Sequence, residues 1–543
     1  MQPLDRAAMV ARLGAETFDL AVIGGGINGA AIARDAALRG LRVALVDKGD
    51  FAGATSSRSS KLIHGGLRYL PQGHIRMVYQ ALRERERLRH LTAPHLVHPI
   101  RFLMPFYRGQ RPGRLALVAG LTLYDWMAWT PRAERRDLMT AAHLRAIEPG
   151  LRAEGMGGGA SYTDAWGDDA RLTLENLLDA AYHGAAVVNY AAVEGFGRSG
   201  STLSGIALRD QERDTSIELR ARLIVNAAGP WVDELRLMDD PGTTPSVRLT
   251  KGVHLVIDSE RLPVRNALVL TDHGGRIVFV MPRGRYVLIG TTDTDFAGDR
   301  DRPAVATEDI EYLLAVVADA LPDFALNAND VIASFAGLRA LPHPGGGRRP
   351  SSVPREEVIL ESAAGLITVA GGKLTTHRAI AEQVIDRVAA RLGIHTRSCV
   401  TPITPLPGAR PCAEGQAKLE SLPTLVCDLL RNRYGTRAGI VAQIVGENAA
   451  LARPLSSDAS AIGAEVIFVV RYELAQSVAD FLVRRTAMTW RAPHAAIAAA
   501  PAVARLMATE LGWSPAREAD ELDRFKHQSE STIRPRPEIT ESL

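Results

Sequence analysis

The groups best suited to chemistry are concentrated between Phe18 and Leu70. Gly24, Gly26 and Gly29 have the G-x-G-x-x-G spacing, between the apolar run Phe18–Ile23 and the alanine-rich stretch Ala30–Arg39. Glycines so placed permit a tight turn and let the backbone approach a pyrophosphate at a helix N-terminus. A second apolar run, Val43–Val46, ends at Asp47. That is near the distance at which an acid accepts hydrogen bonds from a ribose. Many glycine-rich turns bind nothing, so the pattern alone is weak. The loop that follows, SSRSSKLIHGGLRYL, is dense in Ser, Lys, His and Arg. A turn that only reverses direction does not need this inventory, and the loop reads as site-forming.

Other elements must complete such a site. Ala221–Ala228 is an apolar run closed by Gly229 and Pro230, and Leu366–Ala370 runs into Gly371 and Gly372. With the first turn, these make three glycine-linked strand ends that can converge on one ligand at the C-terminal edge of a sheet. Asp168 or Asp169 can cap a helix over Ala170–His183, and Thr375 or Thr376 can cap another. Between Val247 and Leu341, β-prone runs predict an antiparallel sheet, and FAGLRAL returns Arg339 towards the site. The charged segment Ile75–Leu91 is helical in character, with a further helical region from Leu115 towards Glu148. Pro94, Pro99 and Pro105 are expected to break the path, and the glycines of Gly155–Ala160 to form a flexible or close-packed turn. Thr401–Gly415 is a proline-rich linker. Beyond it, helices are expected over Lys418–Tyr434, Ala461–Tyr472, Leu474–Thr486, Pro493–Leu511 and Pro515–Gln528.

The chain has 543 residues, enough for two or three domains. Its 64 basic and 61 acidic residues leave a charge of +3, which gives no argument for nucleic acid as a partner. Cys399, Cys412 and Cys427 are odd in number and form no close ligand cluster, against a disulfide framework or a cysteine metal site. No metal is called for. The N-terminus lacks a long apolar signal core. Leu115–Trp129 is shorter than the ~20 apolar residues of a membrane span and contains Asp125. With Arg108, Arg111 and Arg114 before it, it reads equally as a core helix or as a seat on an anionic membrane surface.

The motifs IGGGINGAAIARDAALRG, SSKLIHGGLRYL, KGVHLVI, GTTDTD, FAGLRAL, GGKLTTHR and EVIFVVRYELAQSVADFLVRRT, in this order, resemble the FAD-dependent aerobic glycerol-3-phosphate dehydrogenases over nearly the entire chain. The resemblance implies an α/β fold: a glutathione-reductase-type FAD-binding domain, an interleaved antiparallel-β substrate domain and a C-terminal helical domain. The expected boundaries are residues 1–90, 170–230 and 351–393 for FAD, 91–169 for a helical substrate cap, and 231–350 for the substrate domain. Residues 394–415 form the linker, 416–528 the helical domain and 529–543 an exposed tail.

The resemblance further implies bound FAD, oxidation of sn-glycerol 3-phosphate to dihydroxyacetone phosphate, and electron transfer to membrane quinone at the cytoplasmic face of the inner membrane. Oxygen is the alternative acceptor. Arg68, Tyr69 and Lys373 are the implied phosphate ligands, with Arg339 beside the reacting hydroxyl and His254 as the acid/base candidate. Gly24, Gly26 and Gly29 are expected around the pyrophosphate and Asp47 at the adenosine ribose. Ser57, Ser60, Lys61 and His64 are expected at diphosphate, flavin or the substrate loop, with Gly229 and Gly372 giving close backbone approach. Three departures stand out: Asp47 where the family often has glutamate, His377 where it often has tyrosine, and a looser match at Ser352–Val358. The C-terminal helices leave open capping, membrane seating or a dimer interface, and a homodimer is the expected assembly.

Overall fold

The computed structural model describes residues 2–109, 114–128, 135–343, 357–457 and 461–533, and only the backbone of 68, 71, 72 and 114–116. The loose match at Ser352–Val358 lies mostly outside these residues, as do Arg111 and most of the exposed tail.

Two sheets organise the molecule. In the first, Thr17–Ile23, Val43–Val46, Ala186–Val188, Thr215–Asn226 and Leu366–Gly371 run parallel, with Thr17–Ile23 between Val43–Val46 and Thr215–Asn226. Their sequences are near-continuous apolar runs because both faces of a parallel sheet are covered. Helix Ile27–Leu38 covers it and packs against helices Asp169–Tyr182 and His377–Leu392. Its alanines 30, 31, 33, 36 and 37 are buried and let the helices approach closely. The close approach also requires Gly29: a Cβ there would lie 1.9 Å from the Gly24 carbonyl oxygen. Gly29→Ala is therefore expected to displace the helix start and lower the urea midpoint of unfolding. An unchanged midpoint in that variant would refute the packing argument.

The second sheet is mostly antiparallel. Val247–Asp258 pairs with Val331–Pro342 on one side and Tyr286–Gly290 on the other, and the sheet continues through Ile277–Arg283, Ala267–Thr271, Val97–Tyr107 and Met156–Gly167. Two expectations are corrected here. Gly155–Ala160 is not mainly a turn, because Met156–Gly167 is a strand of 12 residues. Its glycines serve close packing: a Cβ on Gly159 would lie 2.7 Å from the Leu144 side chain and 2.9 Å from the Met104 carbonyl. Pro99 and Pro105 do not break the chain either, since Val97–Tyr107 runs through both. The region after Leu115 is interrupted: helix Arg114–Ala128, strand Asp137–Met139, then helix Ala141–Ile147.

The C-terminal part is helical around its own apolar core. Lys418–Tyr434 is split into Gln416–Glu420 and Thr424–Tyr434 at Pro423. Helix Gly463–Glu473 stops at Leu474, whose φ is +55°, so Leu474–Thr486 is not one α-helix. Arg171 bridges to Glu473 at 2.8 Å, and Arg437 meets both Glu175 and Glu473, all fully buried. These ion pairs join the helical part to the Asp169–Tyr182 helix. Among the described residues no helix is long and apolar enough to cross a membrane.

Candidate active site

A cleft of about 260 Å³ opens where the parallel strands end. Gly26–Asn28, Ala227 with Gly229 and Pro230, and Gly371–Thr375 form one wall, each at the end of a parallel strand. Residues of the 55–64 loop, with Gly252, His254 and Gly337–Pro342 of the antiparallel sheet, form the other walls. Gly229 and Gly372 have φ values of +56° and +87°, a region where L side chains are strained. Gly26 lines the cleft, but Gly24 and Gly29 pack inside the turn. A Cβ on Gly24 would lie 2.6 Å from the Ala227 carbonyl oxygen.

Strand register builds one end of the cleft. Thr250, Gly252 and His254 oppose Arg339, Gly337 and Phe335. Alternation puts all six on one face. The glycines leave room for their neighbours: a Cβ on Gly252 would lie 2.2 Å from the Arg339 guanidinium, and one on Gly290 equally close to His254. Arg339 donates to Thr291 Oγ1 at 3.0 Å and to the Thr292 carbonyl at 3.2 Å, with Asp293 at 3.4 Å. His254 stacks on Phe335 at 4.9 Å, and its Nε2 lies 2.8 Å from Ser60 Oγ. Burial, then the Arg339 and Lys61 charges, holds this histidine well below its ordinary value. It is neutral at neutral pH.

At the other end, the Lys373 ammonium lies over the Tyr69 ring, 4.2 Å from its centroid. Gly66, at φ +83°, makes this possible, because a Cβ there would lie 2.8 Å from that ring and 3.1 Å from Lys373 Nζ. Arg68 follows in the same short 3-10 segment, and its side chain lies outside the description. Lys373 and His64 line the cleft, and Thr375 Oγ1 bridges to the His64 backbone at 3.1 Å.

A family model described as "FAD dependent oxidoreductase" matches residues 19–387, and "C-terminal domain of alpha-glycerophosphate oxidase" matches 399–518. The aerobic glycerol-3-phosphate dehydrogenase of Bacillus subtilis is 36% identical over 504 residues, 89% of each chain. That of Staphylococcus haemolyticus is 35% identical over 90% of this chain and 89% of its own. The structure of the Bacillus halodurans glycerol-3-phosphate dehydrogenase complexed with FAD superimposes with a TM-score of 0.78, at 31% identity over 98% of both chains. This chain belongs to the FAD-dependent aerobic glycerol-3-phosphate dehydrogenase family. Its cofactor is FAD.

The residues of this family member fit that cofactor. The buried Nδ1 of His254 has no hydrogen-bond partner among the described residues. Glycines 26, 229 and 372 bring backbone to the cleft wall; a Cβ on Gly229 would meet only open space, and one on Gly372 would lie 2.5 Å from Ile380. Ser56 Oγ accepts from Ile27 N at 2.9 Å at the start of helix Ile27–Leu38, where helix N–H groups favour an anion.

Several expected cofactor residues are placed differently. The Asp47 carboxylate turns back onto its own turn, accepting from Gly25 N at 2.6 Å and Gly49 N at 2.9 Å. Burial pushes it up to about 6 despite those two donors. Lys61 does not face the cleft: its ammonium is buried against Asp169 at 2.6 Å and the Ser57 carbonyl at 2.9 Å. Ser57 likewise is not in the cleft wall, and its hydroxyl donates to the Ala54 carbonyl. An ammonium beside an acid on a helix N-terminus has no need of a phosphate.

Sequence reasoning passed over Arg58, Asn28 and Thr55, which do line the cleft. Burial and the neighbouring Arg484 charge push Arg58 down to about 10, and a bound anion would relieve both effects. Its signal was present, as the one cation among the small residues of SSRSS. Thr55 Oγ1 donates to the Leu338 carbonyl at 2.6 Å, tying the loop to the strand that carries Arg339.

Proposed function

We propose that the protein oxidises sn-glycerol 3-phosphate to dihydroxyacetone phosphate and passes the electrons to membrane quinone. The observation that carries this reading is that one cleft joins the FAD-side glycine turns to Lys373, His254 and Arg339. FAD, when bound, supplies the hydride acceptor. Arg68, Tyr69 and Lys373 hold the phosphate dianion, the arginine by a planar fork of donors and the lysine as a compact charge. Arg339 stabilises negative charge on the C2 oxygen as its proton leaves. Neutral His254 receives that proton, and its lowered basicity favours handing it on. Asp47, reoriented, accepts from the adenosine ribose, while Gly26, Ser56 and Arg58 surround the pyrophosphate.

We place the enzyme in the cytoplasm, as a homodimer seated peripherally on the anionic inner-membrane face. Trp126, 74% exposed on the Arg114–Ala128 helix, supports that seat, as do Ile75 and Tyr79 on the adjoining helix beside Arg76 and Arg83. Oxygen as acceptor is the second reading, supported by the oxidase name of the matching C-terminal domain.

Purified holoprotein tests both. Glycerol 3-phosphate is expected to bleach the oxidised flavin spectrum, with fast turnover on a soluble quinone and little peroxide. Fast peroxide formation without quinone turnover would replace the first reading with the second. An unbleached flavin would refute both.

A further inference from the structure

A buried polar cluster stands behind the phosphate-binding turn, outside the cleft. Gly65 N donates to the Tyr124 hydroxyl at 2.9 Å and approaches Asp164 Oδ1 at 3.4 Å. The hydroxyl in turn donates to the Asp164 carboxylate, whose oxygens lie 2.8 and 2.9 Å away. Arg85 holds the same carboxylate at 2.6 Å and donates to the Thr163 carbonyl at 3.0 Å. Tyr124, Asp164 and Arg85 are all essentially inaccessible to solvent. Burial and the adjacent Asp164 charge push Tyr124 well above its ordinary value, so its hydroxyl keeps the proton it donates. They come from three separate elements: helix Arg114–Ala128, strand Met156–Gly167 and helix Ile75–Arg87.

These contacts converge on one backbone N–H. Gly65 has no room for a side chain, since a Cβ would lie 2.6 Å from the Tyr124 oxygen and 2.5 Å from Leu82. The next residue, Gly66, is the one crowded by Tyr69 and Lys373, and its carbonyl accepts from Tyr69 N at 2.9 Å. Gly65 is thus held from behind, one residue from the peptide on which Tyr69 and Lys373 are set. An apolar ring would fill the Tyr124 site equally well, and buried ion pairs are weak sources of stability. Their distinctive contribution is direction: only the hydroxyl and the carboxylate fix where the Gly65 N–H points.

We propose that Tyr124 and Asp164 are positioning residues that set the phosphate-binding turn of the substrate site. The proposal rests on the assignment of Tyr69, Lys373 and Arg68 to the substrate phosphate. Removing the Tyr124 hydroxyl leaves Gly65 N with only the long contact to Asp164. The turn then relaxes, and phosphate contacts weaken while the FAD side of the cleft is untouched.

The test compares Tyr124→Phe with wild-type holoenzyme. KM for glycerol 3-phosphate and the inhibition constant of inorganic phosphate are both expected to rise about 5- to 20-fold, the scale of one lost hydrogen bond to a charge-binding site. Maximal flavin reduction rate, FAD content and kcat/KM for unphosphorylated glycerol are expected to stay within about twofold. Asp164→Asn, which keeps the shape and lowers the pull on the hydroxyl, is expected to shift the same two constants in the same direction. Unchanged constants in both variants would overturn the proposal, as would a uniform fall in FAD content and kcat. Lys373→Ala separates the two levels. If it leaves discrimination between glycerol 3-phosphate and glycerol intact, the phosphate assignment itself falls and the positioning role with it. If it abolishes discrimination while Tyr124→Phe behaves as wild type, only the positioning role falls.

Discussion

Arg339→Ala is expected to lower kcat for glycerol 3-phosphate oxidation by about 10²–10³-fold while retaining FAD, the scale for losing one donor at a developing oxyanion. The guanidinium is three-way anchored, to Thr291, Thr292 and Asp293, and its side chain is 16% exposed. It therefore needs little reorganisation when charge develops on the substrate oxygen. The effect should fall on kcat more than on KM, because the neutral alcohol calls on the cation less than the transition state does. Arg339→Lys should recover part of the loss, keeping the charge but not the planar fork. The pH profile supplies a second readout. His254 is lowered first by burial and next by the Arg339 charge, so removing that charge raises it and shifts the acid limb of kcat towards higher pH. Stopped-flow flavin reduction across pH measures both. A near-wild-type rate would remove Arg339 from the reaction, and loss of FAD would reassign it to cofactor binding.

Asp50→Asn is expected to cost about 3–5 kcal/mol of stability, the range for breaking a buried ion pair by deleting one partner. Asp50 is 3% exposed and lies just past Asp47, in the turn after the parallel strand Val43–Val46. Arg485 donates to it at 2.9 Å through Nη2, and both Arg485 and Arg484 make further contacts with its other oxygen. Arg484 would retain Asp480, at 2.5 Å. Among the described residues, the fully buried Arg485 would keep only the Glu473 carbonyl as a hydrogen-bond acceptor and would be left without a bonded carboxylate. Burial alone would raise Asp50, but the Arg485 and Arg484 charges outweigh it and the net shift is downward. A lowered folded-state pKa contributes stability that is complete above the unfolded value, about 3.9, and is lost as pH falls below it. The wild type should thus lose part of this contribution in acid, and the variant should lack that part. Because Asp50 joins the helical C-terminal part to the turn after Val43–Val46, flavin release should accompany unfolding at lower urea. Urea curves followed by flavin and tryptophan fluorescence decide this. A change below about 1 kcal/mol would show that the two arginines find other partners.

Local chemistry made the parallel strands, the glycine turns and the helices that follow them legible, because each is specified within a few residues. Continuous apolar runs mark doubly covered strands, and glycine before a helix marks a close approach. The same signals misled where glycine meant something else. Gly155–Ala160 reads as a turn, yet Gly158 and Gly159 thin a strand so that the Met139 carbonyl, Leu144 and the Met104 carbonyl can pack against it. Polar density in SSRSSKLIH identified a site-forming loop without saying which side chains turn inward. Ser60 and His64 reach the cleft, whereas Lys61 is drawn away by Asp169, which lies 108 residues further on.

By itself the sequence determined the family, the FAD chemistry and the two motifs at opposite ends of the cleft, since these rest on residue types in a fixed local order. Tertiary structure alone decided which of those residues face one another. Strand register placed Arg339 and His254 on one face, across glycines that make room for both. Three separate elements brought Tyr124, Asp164 and Arg85 to a single backbone N–H at Gly65. Such contacts depend on long-range packing, in which a partner's position in the chain carries no information about its position in space.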